Sequence, residues 1–326
     1  MVFYFYEEAM QSVRKISVDG LVPNSFHLSH WAGNETPPAL KADTSTEIAL
    51  NFISNSDYKT LFPNANILTN NHFDTDGLLS VFTLLYPHKA EPIAQTLIET
   101  SEACDFSSFS SENGVQLNIL IGQICHAEAS PFRNKWKSFS GPKESLYYKV
   151  LLQELPDLIK RKDEYSDLWR VQFDKIVASM ELFEKRALWV QEFNEVGLTV
   201  IVDDTKPAPQ AIDYYCKGDI FLVVQEHAGK YQYELSYRYY SWADTVRRPK
   251  ISKISTTHLA EHLNRNEKEH HGKWRSETKG QPFYSTVVLS FTDDKGSPCF
   301  SGISPNEVTQ SVLSHLEKPN RDALAS

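Results

Sequence analysis

The sequence predicts an α/β protein: an N-terminal domain with a parallel sheet and a helical segment, then a smaller C-terminal α+β domain. Three observations predict it. ANILT (65–69), the polar NNHFDTDG and the apolar LLSVFTLLYP follow one another as strand, loop and helix, the order in which α/β sites form at the carboxyl ends of strands. From 115 to about 195 apolar residues recur at helical spacing. From VGLTVIVDD onward, β-branched and aromatic residues return at strand spacing. The switch near 197 sets the expected domains at 1–196 and 197–326.

Each element has its own signal. FHLSHW (26–31) alternates as a strand does, and Gly33 and two prolines make AGNETPP a loop. ADTSTEIALNFI opens a helix that Asp43 or Thr44 can cap, with Glu47 in or near its first turn. A helix is expected from about Leu78 to Pro87, and another over EPIAQTLIETSEACD (91–105), ended by the serine-rich FSSFSSENG. VQLNILIGQICHAEA, SLYYKVLLQELPDLIKRK and YSDLWRVQFDKIVASMELFEKRALWVQEF read as helices, the last as one long element. DIFLVVQEH and YQYELSYRYYSW read as strands around His227, Ala228, Gly229 and Lys230. TTHLAEHLNRNEKEHH is an expected helix, PFYSTVVLSF a late strand and EVTQSVLSHLEK a terminal helix, after which NRDALAS should fray.

Composition narrows the function classes. With 41% hydrophobic and 23% charged residues, a chain of this length can bury a large core. Lys plus Arg total 33 against 42 Asp plus Glu, a formal charge of -9 that disfavours a wrapper of duplex DNA. No stretch approaches 18 uninterrupted apolar residues, and MVFYFYEEAMQSVRK lacks a basic leader, so we expect a cytoplasmic protein without a membrane partner. Cys104, Cys125, Cys216 and Cys299 lie too far apart for a zinc-like pair and read as free buried thiols.

The chemistry concentrates in HFDTDG. His72, Asp74 and Asp76 alternate, so extended backbone would put them on one side of the chain. Two carboxylates and an imidazole converging there call for a cation, and Mn²⁺ or Mg²⁺ suits such ligands. Gly77 permits a tight turn, and the amides of the following helix, with Ser80 in its first turn, could hold a phosphate. A calcium loop fails because Thr83 stands where a bidentate Glu is needed. The plainer alternative is that Asp74 and Asp76 cap the helix while His72 packs or faces water.

ILTNNHFDTDGLLS (67–80) resembles the first motif of the DHH phosphoesterase superfamily, an apolar strand, H-x-D-x-D-G and a helix start with Ser. That superfamily includes RecJ-type exonucleases, manganese pyrophosphatases and hydrolases of cyclic dinucleotides and oligoribonucleotides. The resemblance implies that His72, Asp74 and Asp76 ligate Mn²⁺, that Asp105 in ACDFSS supplies the second-motif aspartate, and that metal-activated water attacks phosphorus. The naming Asp-His-His triplet has no counterpart, the nearest string being ICHAEAS. His30 or Asp43, near the same expected sheet edge, could replace the lost ligand. In the C-terminal third, Ser236 and Arg238 match an S-x-R strand, and Gly272, Lys273, Trp274 and Arg275 stand about where the superfamily has a glycine-rich loop.

Among the remaining candidates, Arg247 and Arg248 in SWADTVRRPK could fork onto a phosphate. Arg238, Arg248, Trp274, Arg275 and Ser80 therefore form the expected substrate-binding set. His258 and His262 lack the HExxH order of a zinc protease, and no nucleophile elbow, P-loop or Rossmann fingerprint occurs. The expected function is metal-dependent hydrolysis of a small phosphorylated molecule or short single-stranded nucleic acid. The alternatives are a non-catalytic protein that binds a phosphorylated metabolite, or a metal enzyme of different chemistry.

Overall fold

The structure, a computed structural model, describes residues 1–55, 66–276 and 286–317. The chain divides into two compact units: Met1–Lys175 with Ala243–Pro249, and Ile176–Trp242 with Lys250–Ser326. The first unit carries a four-stranded, wholly parallel sheet in the order β1-β4-β2-β3, formed by β1 (Val2–Phe3), β2 (Lys15–Val18), β3 (Ser25–Leu28) and β4 (Ile67–Thr69). Every residue of β2 is buried, as expected for a parallel strand covered on both faces.

Helices supply the covering. In α1 (Ser45–Ser54) the cap is Thr44, whose hydroxyl accepts from Glu47 N, and Asp43 is left for another task. In α2 (Thr75–Leu85) every residue from Thr75 to Leu84 is buried, so this helix runs through the core and not along its surface. It starts at Thr75, three residues before the expected Leu78, because Asp74 caps it and places Asp76 in its first turn. The helices α3 (Ala94–Asp105), α4 (Glu112–His126) and α5 (Lys143–Lys160) follow where helical spacing predicts them. Full burial of side chains such as Leu78 and Phe82 contributes roughly 2 kcal/mol each relative to exposure.

The expected long helix over 165–193 is in fact two elements. The helix α6 (Ser166–Glu184) stops just before Arg186, whose φ of 52° leaves the helical region, and Trp189–Phe193 forms strand β5. β5 pairs antiparallel with β6 (Leu198–Asp203) across a turn in which Gly197 takes a φ of 65°. The division between the units thus falls at 175/176, inside α6, while position 197 lies in a hairpin of the second unit.

The second unit has a mixed six-stranded sheet in the order β5-β6-β7-β8-β10-β9, parallel between β6 and β7 and antiparallel elsewhere. β7 (Ile220–His227) and β8 (Lys230–Tyr237) form the expected hairpin, with positive φ at Ala228 and Gly229. Alternation splits their side chains. Leu198, Val200, Leu222 and Val224 join Leu259 and Leu263 of α8 (Thr257–Asn266) and Val308 and Val312 of α9 (Pro305–Leu316). Ile201, Phe221 and Val223 instead meet Ile212 and Cys216, in and just after α7 (Pro209–Tyr215). Helix α8 ends at Asn266, short of the expected EKEHH. β9 (Lys273–Ser276) and β10 (Val287–Thr292) complete the sheet, and residues 282–285 of the expected late strand, like NRDALAS, lie outside the described residues.

Candidate metal centre

Three strand ends and one helix end in the first unit bring acids and imidazoles together. After β2 the chain turns at Asp19, whose φ of 59° lies in the left-handed region. That region costs a non-glycine residue about 1–2 kcal/mol. The turn is held because Asp19 N donates to Leu28 O at 3.0 Å, Ser29 Oγ donates to Asp19 O, and Gly20 N donates to Asn70 Oδ1 at 3.2 Å. The strained turn buries the Asp19 carboxylate completely.

After β3, His30 is equally buried, and its Nδ1 lies 2.6 Å from Asp43 O. A carbonyl can only accept, so Nδ1 carries the proton. Nε2 faces Asp105 Oδ2 at 3.2 Å, Asp19 Oδ1 at 3.5 Å and Asp76 Oδ2 at 3.9 Å. After β4, His72 repeats the arrangement: Nδ1 lies 3.1 Å from Asn71 Oδ1, and Nε2 lies 2.8 Å from Asp19 Oδ2 and 3.0 Å from Asp74 Oδ2. Asp19 therefore stands between the two histidines, one oxygen toward each.

The neighbouring backbone orients the other acids. Asp74 Oδ1 accepts from Gly77 N at 2.7 Å as the α2 cap. Asp76 accepts from Ser45 N and Thr46 N, both at 2.8 Å, at the positive end of α1. Ser45 Oγ donates to Asp19 Oδ1 at 3.1 Å. Gly77 is required for space and not for a special turn: a Cβ there would come 2.4 Å from Asn70 Nδ2 and 2.7 Å from the Tyr148 hydroxyl. That hydroxyl, from α5, donates to His72 O at 3.1 Å and accepts from Asn70 Nδ2 at 2.9 Å, so the packing that excludes a side chain also holds the loop.

The electrostatics test whether a cation fits. A neutral imidazole has one N–H, yet His30 and His72 each meet acceptors through both ring nitrogens. Burial would lower each pKa, but the facing carboxylates raise His30 to about 10 and His72 to about 11. Burial and Asp74 push Asp19 up to about 6, and burial with Asp76 raises Asp105 well above the usual carboxylate range. Burial opposes ionisation of Asp74 too, but His72 and the Gly77 amide hold its pKa below the ordinary value. Asp19 Oδ2 and Asp105 Oδ2 are buried and accept no hydrogen bond of good geometry, although imidazole nitrogens lie 2.8 and 3.2 Å away. Close approach without donor–acceptor alignment is the arrangement of two ligands of one ion. The residues present fit divalent cations held by mixed carboxylate and imidazole ligands.

Among the described residues, three groups have ligand atoms within 4.8 Å of one another: Asp19, His30, Asp76 and Asp105; Asp19, His72 and Asp74; and Asp74, Cys104 and Asp105. The structure thus gathers His72, Asp74, Asp76, Asp105 and His30 from the expected set, and adds Asp19 and Cys104. Asp19 had a readable signal in KISVDG, an apolar strand running into Asp-Gly as ILTNNHFDTDG does.

Other expected residues stand elsewhere. Asp43 is outside all three groups: Oδ1 accepts from Val246 N and Arg247 N at 2.7 and 2.8 Å, and Oδ2 from Arg248 at 2.6 Å. Arg248 also reaches Glu102 at 3.0 Å and lies over the Phe106 ring, so its fork is directed to carboxylates of its own unit. Ser80 is buried with Oγ 3.4 Å from Thr46 Oγ1. In the second unit, Arg238 pairs with Asp213 at 3.1 Å and donates to Cys216 O at 2.6 Å. Arg275 pairs with Asp294 at 3.0 Å. Trp274 is 3% exposed, its ring in the hydrophobic core and its indole N–H donating to Glu267 at 2.9 Å, which leaves no face for a substrate. The position that stands about where the superfamily has a glycine-rich loop is here a buried place in the sheet, and the apolar ring of Trp274 fills it.

A groove of about 810 Å³ runs along β1 past Phe3, Tyr4 and Tyr86, and no residue of the three groups lines it. Among the described residues no helix is long and apolar enough to cross a membrane.

No curated protein matches the sequence. Among solved structures, the pGpG-specific phosphodiesterase PggH from Vibrio cholerae is similar over 79% of this chain and 80% of that one, at 11% identity and a TM-score of 0.37. At that level of likeness, only this chain's own side chains speak to its chemistry. Over residues 1–323 the sequence matches the model of a family of unknown function, DUF6687, and the chain belongs to that family.

Proposed function

We propose that this protein is a metal-dependent phosphoester hydrolase acting on a small phosphorylated molecule or a short single-stranded nucleic acid. One observation carries the reading: Asp19 lies between His30 and His72, with a buried carboxylate oxygen toward each imidazole, at the carboxyl ends of parallel strands. A divalent cation bound there, with Mn²⁺ and Mg²⁺ the first to test, would lower the pKa of water and polarise a phosphoryl oxygen.

The residues of the chain have separable tasks in this reading. Asp43 O and Asn71 Oδ1 fix the ring orientations of His30 and His72 and turn both Nε2 atoms to the site. The Ser45 and Thr46 amides clamp Asp76. His30, Asp19 and Asp76 are at most 1% exposed, whereas the side chains of His72 and Asp74 are 27% and 33% exposed. Substrate would therefore approach beside His72 and Asp74, where half-buried Trp31 packs its ring 4.8 Å from the His72 ring. The net charge of -9 favours a small ligand over duplex DNA.

The arginines favour a second reading, a non-catalytic protein that binds a phosphorylated metabolite. Arg248 and Arg238 are directed to Asp43, Glu102 and Asp213, so charge developed on phosphorus in turnover would have to be met by bound cations alone. Plasma mass spectrometry of protein purified without chelator separates the outcomes. Near-stoichiometric divalent metal, lost in Asp74→Asn and Asp76→Asn, followed by metal-dependent cleavage of phosphodiesters or nucleotides, is expected. Metal without turnover of any such substrate would favour the binding protein, and metal content unchanged in both variants would end the site assignment.

A further inference from the structure

The third ligand group contains a thiol that the hydrolase reading does not use. Cys104 is the penultimate residue of α3, next to Asp105, and its Sγ shares a 4.8 Å neighbourhood with carboxylate oxygens of Asp74 and Asp105. Burial, then Asp105 and Asp74, push the pKa of this thiol well above its ordinary value. A second, independent observation points to a ligand. The Asp105 side chain is 6% exposed and its Oδ2 accepts no hydrogen bond of good geometry, its imidazole neighbour standing 3.2 Å away. The sulfur and carboxylate oxygens of two aspartates therefore converge at this edge of the centre. The other free cysteines, Cys125, Cys216 and Cys299, belong to no such group among the described residues.

We propose that Cys104 is a metal ligand of this centre, completing with Asp74 and Asp105 a sulfur-containing position that takes a borderline divalent cation such as Zn²⁺, Fe²⁺ or Co²⁺ in preference to Mg²⁺. The inference rests on the metal reading of the same site. Thiolate is a soft ligand and the carboxylates are hard, so adding the sulfur shifts selectivity toward cations that accept both. Binding replaces the thiol proton, which passes to water, and the charge of the cation offsets the carboxylates that otherwise oppose ionisation.

Cobalt tests this without an activity assay. The metal-free full-length protein is titrated with Co²⁺ and its absorption followed in the visible, where Co²⁺ in a protein site of any ligand set absorbs, and in the near ultraviolet, where a thiolate–Co²⁺ charge-transfer band appears. The expected result is both features in the wild type, with the near-ultraviolet band lost in Cys104→Ser and the visible bands retained. Protection of Cys104 from iodoacetamide by Co²⁺, mapped by peptide mass spectrometry on the wild type, makes the same assignment if the variant does not fold. Visible bands without a near-ultraviolet band, or a near-ultraviolet band that persists in Cys104→Ser, would overturn the thiolate ligand and leave the metal reading standing. A visible spectrum that never departs from that of the same Co²⁺ without protein, with no bound Co²⁺ in equilibrium dialysis, would overturn both.

Discussion

Two regions treat acidic side chains in opposite ways. In the second unit, half-buried Glu267 is met by donors on both oxygens: Oε1 accepts from the amides of Lys268, Glu269 and Gly302, and Oε2 from Trp274 Nε1 and Ser301 Oγ. Burial opposes its ionisation, but these donors hold its pKa below the ordinary value. In the first unit, Asp19 and Asp105 face other carboxylates and imidazoles, and their pKa values move up instead. A carboxylate surrounded by donors is part of the architecture. Carboxylates that surround one another are a place for a cation.

The largest effect that would sharpen this contrast is expected at Asp19. Asp19→Asn removes the charge shared between the two histidine sites, and we expect metal affinity to fall by roughly 100-fold or more, since even outer partners of ligands cost 10–100-fold. Calorimetric titration with Mn²⁺ measures this, and unchanged affinity would return Asp19 to a structural role. Thermal stability of the metal-free protein should fall, because His30 and His72 lose a buried carboxylate that faces both imidazoles.

Glu267→Ala should do the reverse. It strands several donors and should cost about 1–3 kcal/mol of stability, with no change in metal content. Chemical denaturation checks the first part and elemental analysis the second. A loss of metal in this variant would break the separation drawn between the two regions.

A smaller effect on metal affinity is expected at Arg248. Its guanidinium holds Asp43, whose carbonyl in turn fixes His30 Nδ1. Arg248→Gln should lower metal affinity by about tenfold through the tilt of the His30 ring. An unchanged affinity beside a clear loss of stability would show that this pairing serves the fold alone.

The smallest is a pH effect. The folded pKa of Glu267 lies below its unfolded value near 4.5, so its ionised form contributes stability in full above that pH. The contribution is lost as pH falls through the lower, folded pKa. The stability difference between wild type and Glu267→Gln should therefore be constant near neutrality and shrink on acidification below about 4.5. Denaturation midpoints measured across that window would show the convergence, and a gap that widens toward low pH would contradict it.

Local signals were readable where neighbours in sequence are neighbours in space. The strand, polar loop and helix around HFDTDG follow from apolar spacing and a capping aspartate, and the β7–β8 hairpin from its turn. The reading of 165–193 as one helix failed because WVQEF carries both periods, and pairing with β6 decided between them. Trp274 entered the expected substrate set because it stands about where the superfamily has a glycine-rich loop, and only the sheet shows it buried. Asp43 was weighed as a replacement metal ligand near the expected sheet edge and Arg248 as a phosphate contact, and their pairing across some 200 residues has no sequence signal.

The sequence by itself determined the α/β class, the two H-x-D-x-D-G imperatives of charge and turn, and the chemical types available to a site, because these depend on period, propensity and side-chain chemistry. Tertiary structure decided which of those side chains meet. Asp19, His30, His72 and Asp105 lie on separate strand and helix ends, and only the parallel sheet order β1-β4-β2-β3 and the packing of α2 and α3 bring them within 4.8 Å groups. The reason is physical: ligand geometry depends on distances between elements, and those are set by burial of the apolar faces that pack the elements together.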